Sequence, residues 1–364
     1  MNTSLNLGKI AGIKVQIHWT FWLLILFVIF FSLSGDGTAM DIFWSTGFIL
    51  VLFACVVLHE FGHALTAKRY GVGTRSITLL PIGGVASLNK MPEDPKAEFM
   101  VAIAGPAVNI AIAFLLYLAV PMETFLNQDP GTLENELSTI TRQNFLFYLF
   151  FANTALVLFN MLPAFPLDGG RMLRALLSVK MGRVQATRTA AMLGKFLALG
   201  LFLTGLYYNF ILSLIAVFIY FGAESEKVMV TQLKLLEGNV VKDAMITRFT
   251  TLTPGDTLDD VVDIILKSPE KDFVVAGDTG VQGIILMSDL ARFVREMDGK
   301  VQVKHVMDRE FKILNPGDTL TVAYREIRKG RGSLFPVLEN DKLVGVIDMN
   351  NIDEFIKFRA PLDH

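Results

Sequence analysis

Residues 15–35 and 143–167 contain no Asp, Glu, Lys or Arg. A hydrocarbon layer about 30 Å thick is crossed by roughly 20 apolar residues in a helix, so runs of this kind confine the fold to a short list. Further apolar stretches cover 42–67, 99–120 and 189–223, the last interrupted only by Lys195. The last is too long for one upright helix at about 1.5 Å per residue, and a turn near Tyr207, Tyr208 and Asn209 divides it in two. With a first span over 17–34, the count is about six. A chain of 364 residues that is 52% hydrophobic, with 29 Phe, is too apolar for a soluble protein. After Ala223 charges return, and the remainder reads as a soluble domain. The net charge of −2 gives no basic surface for nucleic acid. A single cysteine, Cys55, excludes an internal disulfide framework. No cleavable leader pattern precedes the first span, which is expected to be retained.

Two regions break the helical pattern. Residues 1–15 alternate enough to form a short interfacial strand. Residues 73–90 are short apolar pieces broken by Pro81, Gly83 and Gly84, the pattern of a membrane-associated β hairpin. Such backbone is tolerated beside lipid only against protein or a wet cavity, and its edge can pair with an extended peptide. Pro81, Ile82, Gly83, Gly84 and Val85 are therefore candidate substrate-binding residues. Loop charges give the orientation. The expected outer loops (35–41, 121–141 and 207–209) contain no Lys or Arg. The inner segments carry Lys9, Lys14, Lys68, Arg69, Arg75, Lys90, Lys96 and the cluster Arg171, Arg174, Lys180, Arg183 and Arg188. Both termini are expected in the cytoplasm.

The chemistry is concentrated in His59-Glu60-Phe61-Gly62-His63, inside the second apolar run. Residues four apart share a helix face, so His59 and His63 can offer two imidazoles to one metal ion. Glu60 is placed to take a proton from a water at that ion. This is the H-E-x-x-H arrangement of zinc hydrolases. Ionisable groups in a membrane-length helix are costly and need a partner or a task. The fourth run ends in Pro163-Ala164-Phe165-Pro166-Leu167-Asp168-Gly169-Gly170, where two prolines unwind the backbone. Asp168 reads either as a turn or cap residue or as a third ligand. The loop-charge orientation brings it to the depth of the histidines, and two His with one carboxylate leave a zinc position open for water. His18 at the start of the first span reads as interfacial, and Cys55 as packing.

With these residues in place, positions 1–223 resemble the site-2 protease family of intramembrane zinc metalloproteases. The resemblance rests on His59-Glu60-x-x-His63, on Gly105-Pro106-x-x-Asn109, and on Asn160-x-x-Pro163-x-x-Pro166-Leu167-Asp168-Gly169-Gly170. It implies one Zn2+ per chain held by His59, His63 and Asp168, with Glu60 as general base. It also implies that Asn160 stabilises the scissile carbonyl or its oxyanion, and it marks Asn109 as a candidate substrate-binding residue. The implied substrates are transmembrane segments of other membrane proteins, cut within the cell membrane in regulated intramembrane proteolysis.

Residues 241–302 and 303–364 repeat at a constant offset of 62: Met245 with Met307, 254–258 with 316–320, Phe273 with Phe335, Gly283 with Gly345. Each copy reads strand, helix, strand, strand, helix, and the pair resembles a CBS tandem, joined to the membrane part by a linker over 224–240. The resemblance implies an α/β domain that forms a homodimer and binds ATP or another adenine nucleotide. The family's ribose-binding pattern, Ser or Thr three residues before Asp, is imperfect. Leu286 stands before Asp289, and in the second copy Asp348 stands before Asn351. The sequence thus specifies a multi-pass α-helical membrane protein with a C-terminal CBS pair. Two rival readings are a CBS-regulated transporter or channel and a non-proteolytic, zinc-stabilised scaffold. Zinc stoichiometry separates the first from the protease, and cleavage of a helical reporter separates the second.

Overall fold

A computed structural model describes residues 4–34, 37–81, 83–88, 92–126, 139–278, 280–329 and 334–358. The chain divides into two compact units, 1–230 and 231–364.

The first unit opens with β1 (Ser4–Ile10) and β2 (Ile13–His18), joined by a tight turn at Ala11 and Gly12. The sequence pattern predicts one short strand over 1–15 and a first span from residue 17. Instead β2 continues to His18, because Val15 and Ile17 pair with Ile77 and Leu79 of β3 (Thr74–Leu80). β3 in turn pairs antiparallel with β4 (Gly83–Leu88), and the sheet order is β1-β2-β3-β4. Ile13, Val15 and Ile77 are buried against Phe61 and Ala64, so the sheet packs on the helix segment that carries the histidines. Burying a side chain of this size contributes about 1.5–3 kcal/mol.

The helices of this unit are α1 (Phe21–Ser34), α2 (Ala39–Arg69), α3 (Pro95–Ala119), α4 (Met122–Leu126), α5 (Phe145–Asn160), α6 (Asp168–Met181), α7 (Arg183–Tyr208) and α8 (Phe210–Leu235). Thr38 and Asp41 form a reciprocal cap at the start of α2, while Asp94 accepts from the Ala97 amide ahead of α3. α7 and α8 are separate helices, broken at Asn209, whose side chain accepts from the Ile211 amide. Among the described residues, α2, α3 and α7 are long and apolar enough to cross a membrane; α1 and α5 are apolar but shorter. At 1.5 Å per residue the 14 residues of α1 extend about 21 Å. Between α5 and α6 the chain runs irregularly from Met161 to Leu167, with a cis bond at Phe165–Pro166.

Arg174 belongs to the basic segment that sets the expected orientation, and its side chain is fully buried and bonds Glu98 and Glu226. An arginine outside the apolar runs looks like a topological marker only while its partners are hidden in other helices. Removing one partner of such a pair typically costs about 3–5 kcal/mol, since the other charge is left uncompensated.

The second unit contains β5 (Thr251–Leu252), α9 (Leu258–Lys267), β6 (Phe273–Gly277), β7 (Gly280–Ile285) and α10 (Met287–Glu296). α11 (Leu320–Lys329), β8 (Leu334–Glu339), β9 (Lys342–Asp348) and α12 (Met349–Phe358) follow. The first strand of the second copy shrinks to a single bridge, Leu314 with Val337. The repeat is exchanged in space. Ile246 pairs with Val346 and Asp308 with Ile284; Val240 pairs with Thr319 and Gln302 with Thr257. Each contact maps onto its mate by adding or subtracting the offset of 62. Accordingly Val241 belongs to the core of the second copy and Val303 to that of the first. Residues 224–235 are the end of α8.

Candidate metal centre

Three side chains converge from two elements. His59 and His63 lie on one face of α2, and Asp168 opens α6 after the irregular segment. The two Nε2 atoms are 3.1 Å apart, and Asp168 Oδ2 lies 3.3 Å from His59 Nε2 and 3.2 Å from His63 Nε2. All three residues are buried, at 5–6% exposure. His63 Nδ1 donates to the Val101 carbonyl at 2.7 Å, which leaves Nε2 as a lone pair. That lone pair faces a carboxylate oxygen, acceptor against acceptor, and a cation between them removes the repulsion. Metal bonds of 2.0–2.1 Å at tetrahedral angles put ligand atoms about 3.3 Å apart. The observed triangle matches one face of such a tetrahedron. Two nitrogens and one oxygen suit zinc, and the fourth corner stays open.

The other Asp168 oxygen, Oδ1, turns to Arg171, with a guanidinium nitrogen 3.9 Å away. Oδ2 alone is thereby left to face the imidazoles. His18 and Cys55 are not in the cluster: the His18 ring pairs with Thr20 at 2.7 Å, and Cys55 is buried one turn before His59.

Close approach of backbone walls the site. A Cβ placed on Gly105 of α3 would lie 2.2 Å from His63 Nε2 and 2.6 Å from His59 Nε2, so no larger residue fits there with the rings in place. Gly169 and Gly170 press equally close to the backbone of 161–165, which lets the chain fold back beneath Asp168. On the sheet side, a Cβ on Gly84 would fall 2.8 Å from Glu60 Cγ. The edge strand β4 thus lies against the half-buried Glu60 carboxyl-bearing side chain. Of the other hairpin candidates, Pro81 is half-buried at the turn, Gly83 adopts φ 134°, and Val85 is exposed; Ile82 lies outside the described residues. Asn109 sits one turn beyond Gly105 on the same side of α3. It is buried, and neither polar atom of its side chain has a protein partner among the described residues. Asn160 is the last residue of α5, half-buried at the start of the segment leading to Asp168.

In the second unit, Asp289 is half-buried in the first turn of α10 and pairs with Arg292 at 3.4 Å. Its counterpart Asn351 is engaged in a cap. It accepts from the Asp348 amide at 2.9 Å, and its own amide donates to Asp348 Oδ1 at 2.8 Å. The departure from the ribose-binding pattern at Asp348 and Asn351 thus has a local use in starting α12.

Sequence reasoning did not single out Val101 or Glu98, and it named Arg174 only as one of a basic cluster. Val101 acts through its carbonyl, which leaves no trace in residue type. Glu98 carried a signal: an acid close to an apolar run that must be paired if buried.

Against known proteins, the model for peptidase family M50 matches residues 47–128 and 126–204, and the CBS domain model matches 241–296 and 303–357. A zinc metalloprotease of Methanocaldococcus jannaschii is 35% identical over 353 residues, covering 97% of this chain and 96% of that protein. The stage IV sporulation protein FB of Bacillus subtilis is 28% identical over 177 residues, 48% of this chain and 52% of that protein. A solved site-2 protease from Methanocaldococcus jannaschii shares 39% identity, covers 62% of this chain and 95% of its own, and gives a TM-score of 0.44. A metal triangle on an H-E-x-x-H helix and a relative matched nearly end to end lead to one assignment: the chain belongs to the site-2 protease family of zinc metalloproteases, peptidase family M50, and carries a tandem pair of CBS domains.

Proposed function

We propose that this zinc metalloprotease cleaves peptide bonds in or near transmembrane segments of other membrane proteins, at the cytoplasmic side of a cell membrane. The observation that carries the reading is the buried triangle of His59 Nε2, His63 Nε2 and Asp168 Oδ2, with edges of 3.1–3.3 Å. Those residues would hold zinc, one ion per chain. When bound, zinc supplies Lewis acidity toward the scissile carbonyl and toward a water. Glu60, next in sequence to His59, takes the proton from the attacking water and later delivers it to the leaving amine. Asn160 hydrogen-bonds the scissile carbonyl as charge develops on its oxygen. A locally unwound substrate pairs as a strand with β4, whose Gly84 touches Glu60, so that Pro81–Val85 and Asn109 line its path. Six spans, formed by α1, α2, α3, α5, α7 and α8, place both termini and the CBS pair in the cytoplasm. The domains are 1–223, a linker 224–240 and the repeats 241–302 and 303–364. The CBS pair binds ATP or another adenine nucleotide near Asp289 and Asn351 and joins two copies of the chain.

A transporter would line a path with ionisable groups along the bilayer. Here, among the described residues, the buried ligands gather at one point, and the other buried charges, Glu98 and Arg174, neutralise each other. The test is cleavage of a transmembrane reporter by the full-length protein and by Glu60→Gln. The variant is expected to keep its zinc and to lose 10²–10⁴-fold in turnover, the usual contribution of a positioned acid–base group. Near-wild-type turnover would exclude Glu60 as the base.

A further inference from the structure

The metal triangle is assembled from two helices, α2 and α6, that the chain does not join directly, and α3 lies against both. Glu98, Val101, Gly105 and Asn109 fall on one face of α3, spaced by three, four and four residues. Along this face Val101 holds His63 through its carbonyl, and Gly105 abuts both Nε2 atoms. Glu98, one turn earlier, accepts from Arg174 through Nε at 2.8 Å and through a second guanidinium nitrogen. The spacing from Glu98 to Gly105 is about 10.5 Å along α3, and from Arg174 to Asp168 about 9 Å along α6. The two helices are therefore tied at one end by a forked ion pair, while at the other end the ligands meet.

Arg174 reaches further. Its guanidinium carbon stacks 4.9 Å over the ring of Phe165, in the segment that delivers Asp168. Its remaining nitrogen bonds Glu226 of α8. Arg183 completes the set, 3.3 Å from the other Glu98 oxygen and 2.9 Å from the Pro92 carbonyl. Two cations and two anions from α3, α6, α7 and α8 thus balance in one cluster, with Arg174 and Glu98 buried and Arg183 and Glu226 partly exposed. A guanidinium, planar and five-donor, is the group that can hold two carboxylates and stack on a ring at once.

We propose that Arg174 is a positioning residue for the metal site: by locking α6 to Glu98 of α3, it fixes the Asp168 carboxylate against the two imidazoles. The proposal rests on the zinc reading above. Partners that orient a ligand from behind commonly set metal affinity by 10–100-fold.

The test is zinc affinity of the full-length protein in detergent, read by competition with a chromophoric chelator, with helix content followed by circular dichroism. Arg174→Gln is expected to weaken zinc 10–100-fold at unchanged helix content, and Arg174→Lys to recover part of that loss. In an Asp168→Asn background, Arg174→Gln should change affinity less than twofold, because the residue it positions is no longer a full ligand. Wild-type affinity in folded Arg174→Gln, or an equal loss with and without the Asp168 carboxylate, would overturn the proposal. If Arg174→Gln does not fold, Glu226→Gln decides, since that carboxylate is partly exposed. A three- to tenfold loss supports the proposal and unchanged affinity contradicts it. A wild-type protein that binds no zinc would remove this inference together with the reading beneath it.

Discussion

The two units of this protein are inside-out relative to each other. In the first, Phe27, Phe30, Phe31, Leu118, Phe196 and Phe221 face outward, while His59, His63, Glu98, Asp168 and Arg174 are buried. In the second, the interior is built from residues such as Leu252, Val261, Phe273, Leu320 and Ile347, and Asn351 is the one buried polar side chain among the described residues. An apolar exterior suits lipid, so the first unit can reserve its interior for charge that would be unaffordable on its surface. The second unit stabilises itself by apolar burial. Chemistry therefore belongs to the first unit, and its geometry depends on helix contacts too close for any side chain beyond hydrogen.

Substitutions at closely packed glycines should separate the two units. Gly105→Val, which drives a side chain into both Nε2 positions, should abolish measurable zinc binding and cut reporter cleavage by at least 10³-fold. Metal analysis and single-turnover cleavage on one preparation check this, and retained zinc would dissolve the contrast between the units. Gly84→Ala is milder, since the new methyl meets the movable Glu60 chain rather than backbone. A roughly tenfold fall in kcat with zinc content unchanged is expected from displacing a proton-transfer group. Equal losses of metal and turnover would place Gly84 with the ligands instead.

On the other side of the comparison, Gly345→Ala brings a methyl within 2.7 Å of Met245 Sδ and 3.0 Å of the Ile246 carbonyl. Overpacking of this kind costs about 1–3 kcal/mol. Hydrogen exchange over 241–358 should accelerate correspondingly while zinc content stays at the wild-type level. Thr257→Ala removes the cap of α9, where Thr257 and Asp260 satisfy each other's backbone amides. It should cost about 1 kcal/mol, seen as faster exchange in α9 alone.

Much of this was legible in the sequence, for reasons that differ by unit. His59, Glu60 and His63 were readable because helical spacing is local. Asp168 came within reach because Pro163, Pro166 and the Gly169-Gly170 pair mark a break in the backbone at the end of an apolar run, where an ionisable group needs a partner or a task. The CBS repeat followed from a period, although periodicity did not reveal that Val241 and Val303 trade cores. What stayed hidden depends on long-range contact. The extension of β2 to His18 needs Ile77 and Leu79 beside it, and the burial of Arg174 needs Glu98 and Glu226, 76 and 52 positions away. A carbonyl clamp such as that of Val101 on His63 could not be read from residue type at all.

The most direct test of the account is X-ray absorption at the zinc edge on the full-length protein, alongside metal quantitation. The account predicts near one zinc per chain with a shell of nitrogen and oxygen only, at about 2.0–2.1 Å, and the signature of two imidazoles. Zinc that is absent, coordinated by sulfur, or unchanged in its shell and affinity when Asp168 is replaced by Ala would contradict it.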